Sequence, residues 1–302
     1  MKKDEASVIS VEIGGATCKI GRVNRAGEVS NVSQYKTQRL REQGLEKLIE
    51  ILEDYEEKYI VEAVVIALPA TVEWGENHVR SSCPDLPWME EAESIGKLQD
   101  RLGRPLQLVN DVEALLFGEW RSGELSGYNS GVVLSLGENM GSALLWDGKP
   151  QQGRRGSIME LEHVSLETYG EERDDLPPGS AMNWLSGKGL RSQLEELGLD
   201  IKVPEIFTSE DEEVRAVKDE FEDRLAHLLG TIVMMLDPER IVLEGGITRS
   251  HRDWLSGVED KMDEYIMEQF QGLPVVTLGQ LRGEDVLLGP AAYWRWLESE
   301  RD

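Results

Sequence analysis

Cysteine is nearly missing from this chain: only Cys18 and Cys83 occur among 302 residues. Two cysteines, one in a strand-like stretch and one in a loop, cannot build a disulfide framework. They fit a reducing cytoplasm. Positive charge is scarce too, with 32 Lys and Arg against 58 Asp and Glu, a formal net charge of −26. A surface this acidic repels phosphate backbones and argues against nucleic-acid binding. Acidic stretches such as 209–214 (SEDEEV) read as solvated surface. The alternative is adaptation to a salty cytoplasm, where screening would tame the self-repulsion. No apolar run approaches the ~20 residues that span a bilayer, which argues against a membrane partner. The opening MKKDEAS leads straight into a strand-like segment, with no signal-peptide core before it. There is no low-complexity linker.

What remains is an α/β pattern. Residues 8–13 alternate apolar and polar up to Gly14-Gly15. A second strand at 18–23 and a third at 28–35 follow, joined by the turn Arg25-Ala26-Gly27. Leu45, Leu48, Ile49 and Leu52 mark an amphipathic helix over 45–55. The apolar run 61–68, ended by Pro69, reads as a buried strand. A strand at 106–109 leads through Asn110-Asp111 into a helix over 112–120. The pattern then repeats: strand 131–136, a Gly-flanked turn 137–141, strand 142–146 and the hairpin signal Asp147-Gly148. A long helix over 213–235, a strand at 241–243 ending in Glu244-Gly245-Gly246, a strand at 275–278 and a helix over 286–298 complete it. Two halves that each open strand, Gly turn, strand suggest a duplicated architecture that cradles phosphate. Length alone favours two domains. We place them at 1–117 and 118–302, with the closing helix 286–302 packing back on the first.

Four segments, in order, resemble one family. Val11-Glu12-Ile13-Gly14-Gly15-Ala16 is similar to the first phosphate loop of ROK proteins (repressors, open reading frames, sugar kinases). Val109-Asn110-Asp111-Val112-Glu113-Ala114 is similar to their Asn-Asp sugar motif, Leu136-Gly137-Glu138-Asn139-Met140-Gly141 to their second phosphate loop, and Glu160-Leu161-Glu162-His163 to their Glu-x-Gly-His motif. Weaker echoes are Pro84-Asp85-Leu86-Pro87-Trp88, Ser186-Gly187 on the adenosine side, and Asp237-Pro238 through Gly245-Gly246. Each motif alone is weak; their shared order carries the resemblance, which runs from Val8 to Trp296. It implies a two-lobed actin-like ATPase or sugar-kinase fold with duplicated, ribonuclease H-like lobes. It also implies ATP with Mg²⁺ as cofactors, a small-molecule sugar as substrate, and a homodimer.

Phosphoryl transfer needs backbone N–H groups near the phosphates, a metal ion and a base at the attacking hydroxyl. Gly14, Gly15, Gly137 and Gly141 fit the first need, since no Cβ keeps the backbone from a phosphate. Asp111, after a buried strand and before a helix, is the candidate general base; an Asp there also suits a helix N-cap. Asn110, Glu160 and His163 can hydrogen-bond sugar hydroxyls. The resemblance adds Glu12 as the residue positioning Mg²⁺ through water, and Ser186, Gly187, Gly245 and Gly246 on the nucleotide side. In the family the motif His ligates zinc with three nearby cysteines. Residues 169–180 contain none, so zinc of that ligand set is excluded.

The departures concentrate at the same sites. Glu12 stands for Asp, Ala16 for Thr, Glu138-Asn139 for Thr-Gly, Ala70 and Glu162 for Gly, and Met182 for Glu. A carboxylate at 138 would repel a γ-phosphate unless a cation intervenes. Two functions follow: an ATP-dependent hexose kinase with Asp111 as base, or a catalytically degraded relative that binds a sugar or sugar phosphate as a sensor or partner subunit. A repressor would need a helix-turn-helix ahead of the first strand, and about seven residues do not supply one.

Overall fold

The alternating opening becomes three antiparallel strands, β1 (Ser7–Ile13), β2 (Thr17–Asn24) and β3 (Val29–Lys36), in a computed structural model. It describes residues 6–300 apart from 82, 84, 85, 171–176, 251–253, 273 and 274. Next come α1 (Thr37–Lys58), β4 (Val61–Leu68), β5 (Val72–Glu73), β6 (His78–Val79), α2 (Ala92–Leu102), β7 (Leu106–Asn110) and α3 (Asp111–Ser122). The second series is β8 (Gly131–Leu136), β9 (Met140–Trp146), β10 (Lys149–Pro150), α4 (Ala181–Leu185), α5 (Gly187–Glu196), α6 (Val203–Ile206) and α7 (Glu212–Leu236). Then follow β11 (Arg240–Glu244), α8 (Gly246–Ser250), α9 (Leu255–Met262), β12 (Val276–Leu278) and α10 (Leu288–Ser299).

The chain divides into two units. The first comprises Met1–Ser126, Pro150–Ile158 and Gln280–Asp302, the second Gly127–Lys149 and Met159–Gly279. In the first, the sheet order is β3-β2-β1-β4-β7, with β4 parallel to both β1 and β7. Both faces are covered, which explains the continuous apolar run of β4. Ile9, Val11, Ile13, Val64, Ile66 and Leu68 face one core with Leu48, Ile49 and Leu52 of α1. Val8, Ala63, Val65 and Ala67 face the other, under Phe117 of α3 and Tyr293 and Trp294 of α10. The small alanines on that side leave room for the rings. Glu119 is fully buried. Its carboxylate accepts from the backbone N–H groups of Glu124, Gln280 and Leu281, which offsets the cost of its burial and fixes the chain leading to α10.

The second unit repeats the sheet as β10-β9-β8-β11-β12, with β8 antiparallel to β9 and β11 parallel to β8 and β12. α7 packs against α4, α5, α6 and α9, and Phe207, Phe221 and Trp254 form a ring cluster beside it. The hairpin signal Asp147-Gly148 is a turn with both φ positive, 53° and 67°.

Several local features differ from the sequence reading, α5 and α9 among them, which it did not contain. The helix read over 45–55 spans Thr37–Lys58 but breaks at Gly44, where φ is 73° and ψ −170°. α2 has no counterpart in that reading. Its buried Ile95, Leu98 and Leu102 stand at helical spacing between charged residues.

Candidate active site

In the first unit the turn between β1 and β2 is held at several points. Gly14 N–H donates to Thr17 O (2.9 Å), Thr37 Oγ1 donates to Gly14 O (2.6 Å), and Thr37 N–H donates to Ala16 O (3.1 Å). The start of α1 therefore braces the turn, while Gly15 and Ala16 are both exposed. A Cβ on Gly14 would come no closer than 3.5 Å to any neighbour. No neighbour within the chain crowds a side chain at that position. Glu12 faces Lys19 across the hairpin, with Nζ 3.7 Å from Oε2.

β7 delivers Asn110 and Asp111 to the N-terminus of α3. Asn110 is the cap: its Oδ1 accepts from Val112 N–H (2.9 Å) and Glu113 N–H (3.1 Å), and its Nδ2 donates to Ala70 O (3.2 Å). Capping therefore falls to Asn110 and not to Asp111, and the Asn110 amide keeps one N–H beyond its backbone bonds. Asp111 begins the helix, and its Oδ1 accepts from Val112 N–H at 3.0 Å. Burial, reinforced by the charge of Glu12, raises its pKa from 3.8 to about 6, against the opposing pull of that backbone bond. A carboxylate ionised at neutral pH yet basic enough to take a proton suits general-base chemistry.

In the second unit the turn between β8 and β9 is stitched to α5. Gly137 N–H donates to Asn139 O (3.0 Å), Gly187 N–H to Gly137 O (2.7 Å) and Lys188 N–H to Glu138 O (3.1 Å). Ser186 caps α5, accepting from Gly189 N–H (3.0 Å) and donating to Met182 O (2.7 Å). Ser186 and Gly187 thus hold the turn in place. A Cβ on Gly137, like one on Gly14, would come no closer than 3.5 Å to any neighbour, and Gly141 lies opposite Ser135 on β9. Glu138 is ion-paired with Arg191 of α5, both side chains reaching solvent. Gly245 differs: φ is 104°, and a Cβ would lie 2.3 Å from Leu136 O, so the fold itself requires glycine where β11 ends against β8. Gly246 next to it has open space around it. Glu160, Glu162 and His163 sit on one short 3₁₀ turn, their ligand atoms within 4.8 Å of one another. That spacing can grip adjacent hydroxyls or a metal ion.

The ROK family pattern matches residues 8–296, nearly the whole chain. The chain belongs to the ROK family. Among characterised relatives it is similar to a glucokinase of Thermotoga maritima, 26% identical over 94% of this chain and 96% of the relative. Its fold is similar to that of a ROK hexokinase from Thermus thermophilus, with a TM-score of 0.82 at 22% identity, covering 98% of this chain and 100% of the other. It is also similar to a ROK family glucokinase from Streptomyces griseus solved in complex with glucose and AMPPNP. There the TM-score is 0.79 at 21% identity, covering 95% and 98%. The fold is the ROK sugar-kinase fold, a mixed α/β architecture of the actin-like ATPase class, and the chain is sugar-kinase-like.

Against the ROK pattern, Glu12, Gly14, Gly15, Asn110 and Asp111 belong to the first unit. Gly137, Glu138, Gly141, Glu160, His163, Ser186, Gly187, Gly245 and Gly246 belong to the second. Pro84 and Asp85 of the Pro-Asn-Leu-Pro echo, and 171–176 of the cysteine-free stretch, lie outside the described residues. Among the described residues no helix is long and apolar enough to cross a membrane. Two residues escaped the sequence reading. Lys19 was recoverable, because a turn centred on Gly15 and Ala16 pairs 12 with 19. Arg191 carried no signal, standing far along the chain from Glu138.

Proposed function

We propose that this chain transfers the γ-phosphoryl group of ATP to a hexose, with Asp111 as general base. The observation that carries this reading is Asp111 itself: at a strand end, anchored by Val112 N–H, with a pKa of about 6. One carboxylate oxygen is engaged, and the other takes the proton of the attacking hydroxyl. That hydroxyl oxygen bonds to the γ-phosphorus as the bond to the ADP oxygen breaks. Glu160 and His163 supply directional contacts to other hydroxyls, and the spare N–H of Asn110 supplies one more.

Gly14, Gly15, Gly137 and Gly141 receive the phosphates, and Ser186, Gly187, Gly245 and Gly246 flank the nucleotide. Mg²⁺ fits Glu12, a half-buried carboxylate at the end of β1 and a hard oxygen donor. Bound there through water, the ion would offset phosphate charge. The objection raised by Glu138 weakens once Arg191 stands beside it, because the pair presents no net charge to a phosphate. The family resemblance adds a cytoplasmic homodimer to this reading. Ala16 and Met182 favour a second reading, a sugar binder without transfer, because neither offers the polar group found in the family.

Transfer of radiolabel from γ-labelled ATP to a panel of hexoses and N-acetylhexosamines tests the first reading. Turnover that Asp111→Asn lowers by about 10²–10⁴ is expected. Sugar binding with no label transfer by the wild type would leave the second.

A further inference from the structure

Antiparallel pairing sets Lys19 of β2 directly opposite Glu12 of β1, and parallel pairing sets Ala67 of β4 beside Glu12. Side chains of residues paired in this way project on one face. For these three it is the face that Ala67 shares with Phe117 of α3 and Tyr293 of α10.

The Glu12 carboxylate reaches two ways. Its Oε1 lies 3.5 Å from where a Cβ on Gly14 would sit, beside the turn assigned to phosphate. Its Oε2 is buried and lies 3.7 Å from the Lys19 ammonium. The side chains of Lys19 and Glu12 are only 17% and 24% exposed, so their attraction is screened much less than that of a surface pair. The charge of Glu12 also reaches Asp111.

Two carboxylates that feel each other attract a divalent cation, a hard ion that takes oxygen ligands. An ammonium fixed against Glu12 opposes this, because it answers the carboxylate and repels a second cation. Holding the hairpin together does not account for it, since β1 and β2 already pair along the whole of β1. A nucleotide changes the balance. Its phosphates carry negative charge of their own, which gives the Lys19 ammonium another partner and releases Glu12. We propose that Lys19 sets the order in which this site fills: by answering Glu12 it keeps free divalent ions off the empty turn, so that Mg²⁺ enters only with the nucleotide. The inference rests on the assignment of Mg²⁺ to Glu12 in the reading above, and not on transfer to a sugar.

The probe is Mn²⁺, whose free form is counted by electron paramagnetic resonance. The full chain is titrated without nucleotide, at a salt concentration that screens its acidic surface. Wild type and Lys19→Arg, which keeps the charge, are expected to bind Mn²⁺ equally weakly. Lys19→Met, which keeps the length and loses the charge, is expected to bind one ion about tenfold more tightly. Lys19→Gln is expected to do the same and stands in if the methionine variant does not fold. Glu12→Gln added to either variant is expected to remove the gain. No gain on loss of the charge, or an equal gain in Lys19→Arg, would overturn the proposal. A gain that survives Glu12→Gln would overturn it too, by placing the ion elsewhere. Radiolabel transfer tests the kinase reading separately, so each can fail without the other.

Discussion

The two glycine turns stand at the same place in two copies of one sheet, β1–β2 and β8–β9, and each carries a glutamate answered by a cation. The settings differ. Glu12 is half-buried, its partner Lys19 3.7 Å away, and its charge reaches Asp111. Glu138 and Arg191 are 55% and 44% exposed. The carboxylate beside the first turn therefore acts on Asp111, while the one in the second is largely screened by solvent. Glu12 lies in β1 just before its turn and Glu138 within its turn, and burial and neighbours separate the two carboxylates.

That contrast can be broken at several points. The largest stability effect belongs to the glycine that the fold requires. Gly245→Ala, with φ at 104° and a Cβ 2.3 Å from Leu136 O, is expected to cost about 2–4 kcal/mol in denaturant unfolding. Gly14→Ala and Gly137→Ala, with 3.5 Å clear, are expected to fold nearly as the wild type does yet bind nucleotide less well. Equal losses of stability at all three positions would erase the distinction between glycines kept for the fold and glycines kept for a ligand.

Next comes Asp111→Asn. Because the folded-state pKa of Asp111 lies above its ordinary 3.8, at about 6, the folded protein favours the protonated form. The stability that this lends is complete below pH ~4 and is lost as pH rises through about 6. The Asn variant keeps it at every pH. Thermal melts are expected to show Asp111→Asn more stable at neutral pH, by at most about 3 kcal/mol, with the difference vanishing near pH 4.

A smaller effect is expected of Glu12→Gln. Burial is the main cause of the elevated Asp111 pKa and Glu12 the second, so neutralising Glu12 is expected to move the acid limb of the rate profile down by less than about one pH unit. The smallest belongs to the second turn. Glu138→Thr and Arg191→Ala are each expected to change stability by less than about 1 kcal/mol. Calorimetric titration with ATP–Mg²⁺ is expected to show opposite signs: tighter binding for Glu138→Thr and weaker for Arg191→Ala, which leaves Glu138 unanswered. A large stability loss in either variant would show that the second turn is as tightly coupled as the first.

Much of this was legible because local patterning and tertiary burial agree. The apolar run of β4 is buried on both faces, the Gly-flanked turns sit between paired strands, and Asp111 lies where a buried strand meets a helix. Lys19 lay within reach of the hairpin register, whereas Arg191 depends on a contact that no short window contains. Arg191 meets Glu138 only because α5 is stitched to the turn by Gly187 and Lys188. Asn110 was read as a sugar ligand because its type suits both roles; the helix claims its oxygen first.

The central claim is that Asp111 takes the sugar's proton from a setting that raises its pKa. The most direct test is the pH dependence of kcat/KM for hexose phosphorylation by the wild-type chain. A single-proton fall of about tenfold per pH unit is expected below about pH 6, with a plateau above, and Glu12→Gln displacing the inflection downward. A profile that stays flat to below pH 5, or an inflection that ignores Glu12, would contradict it.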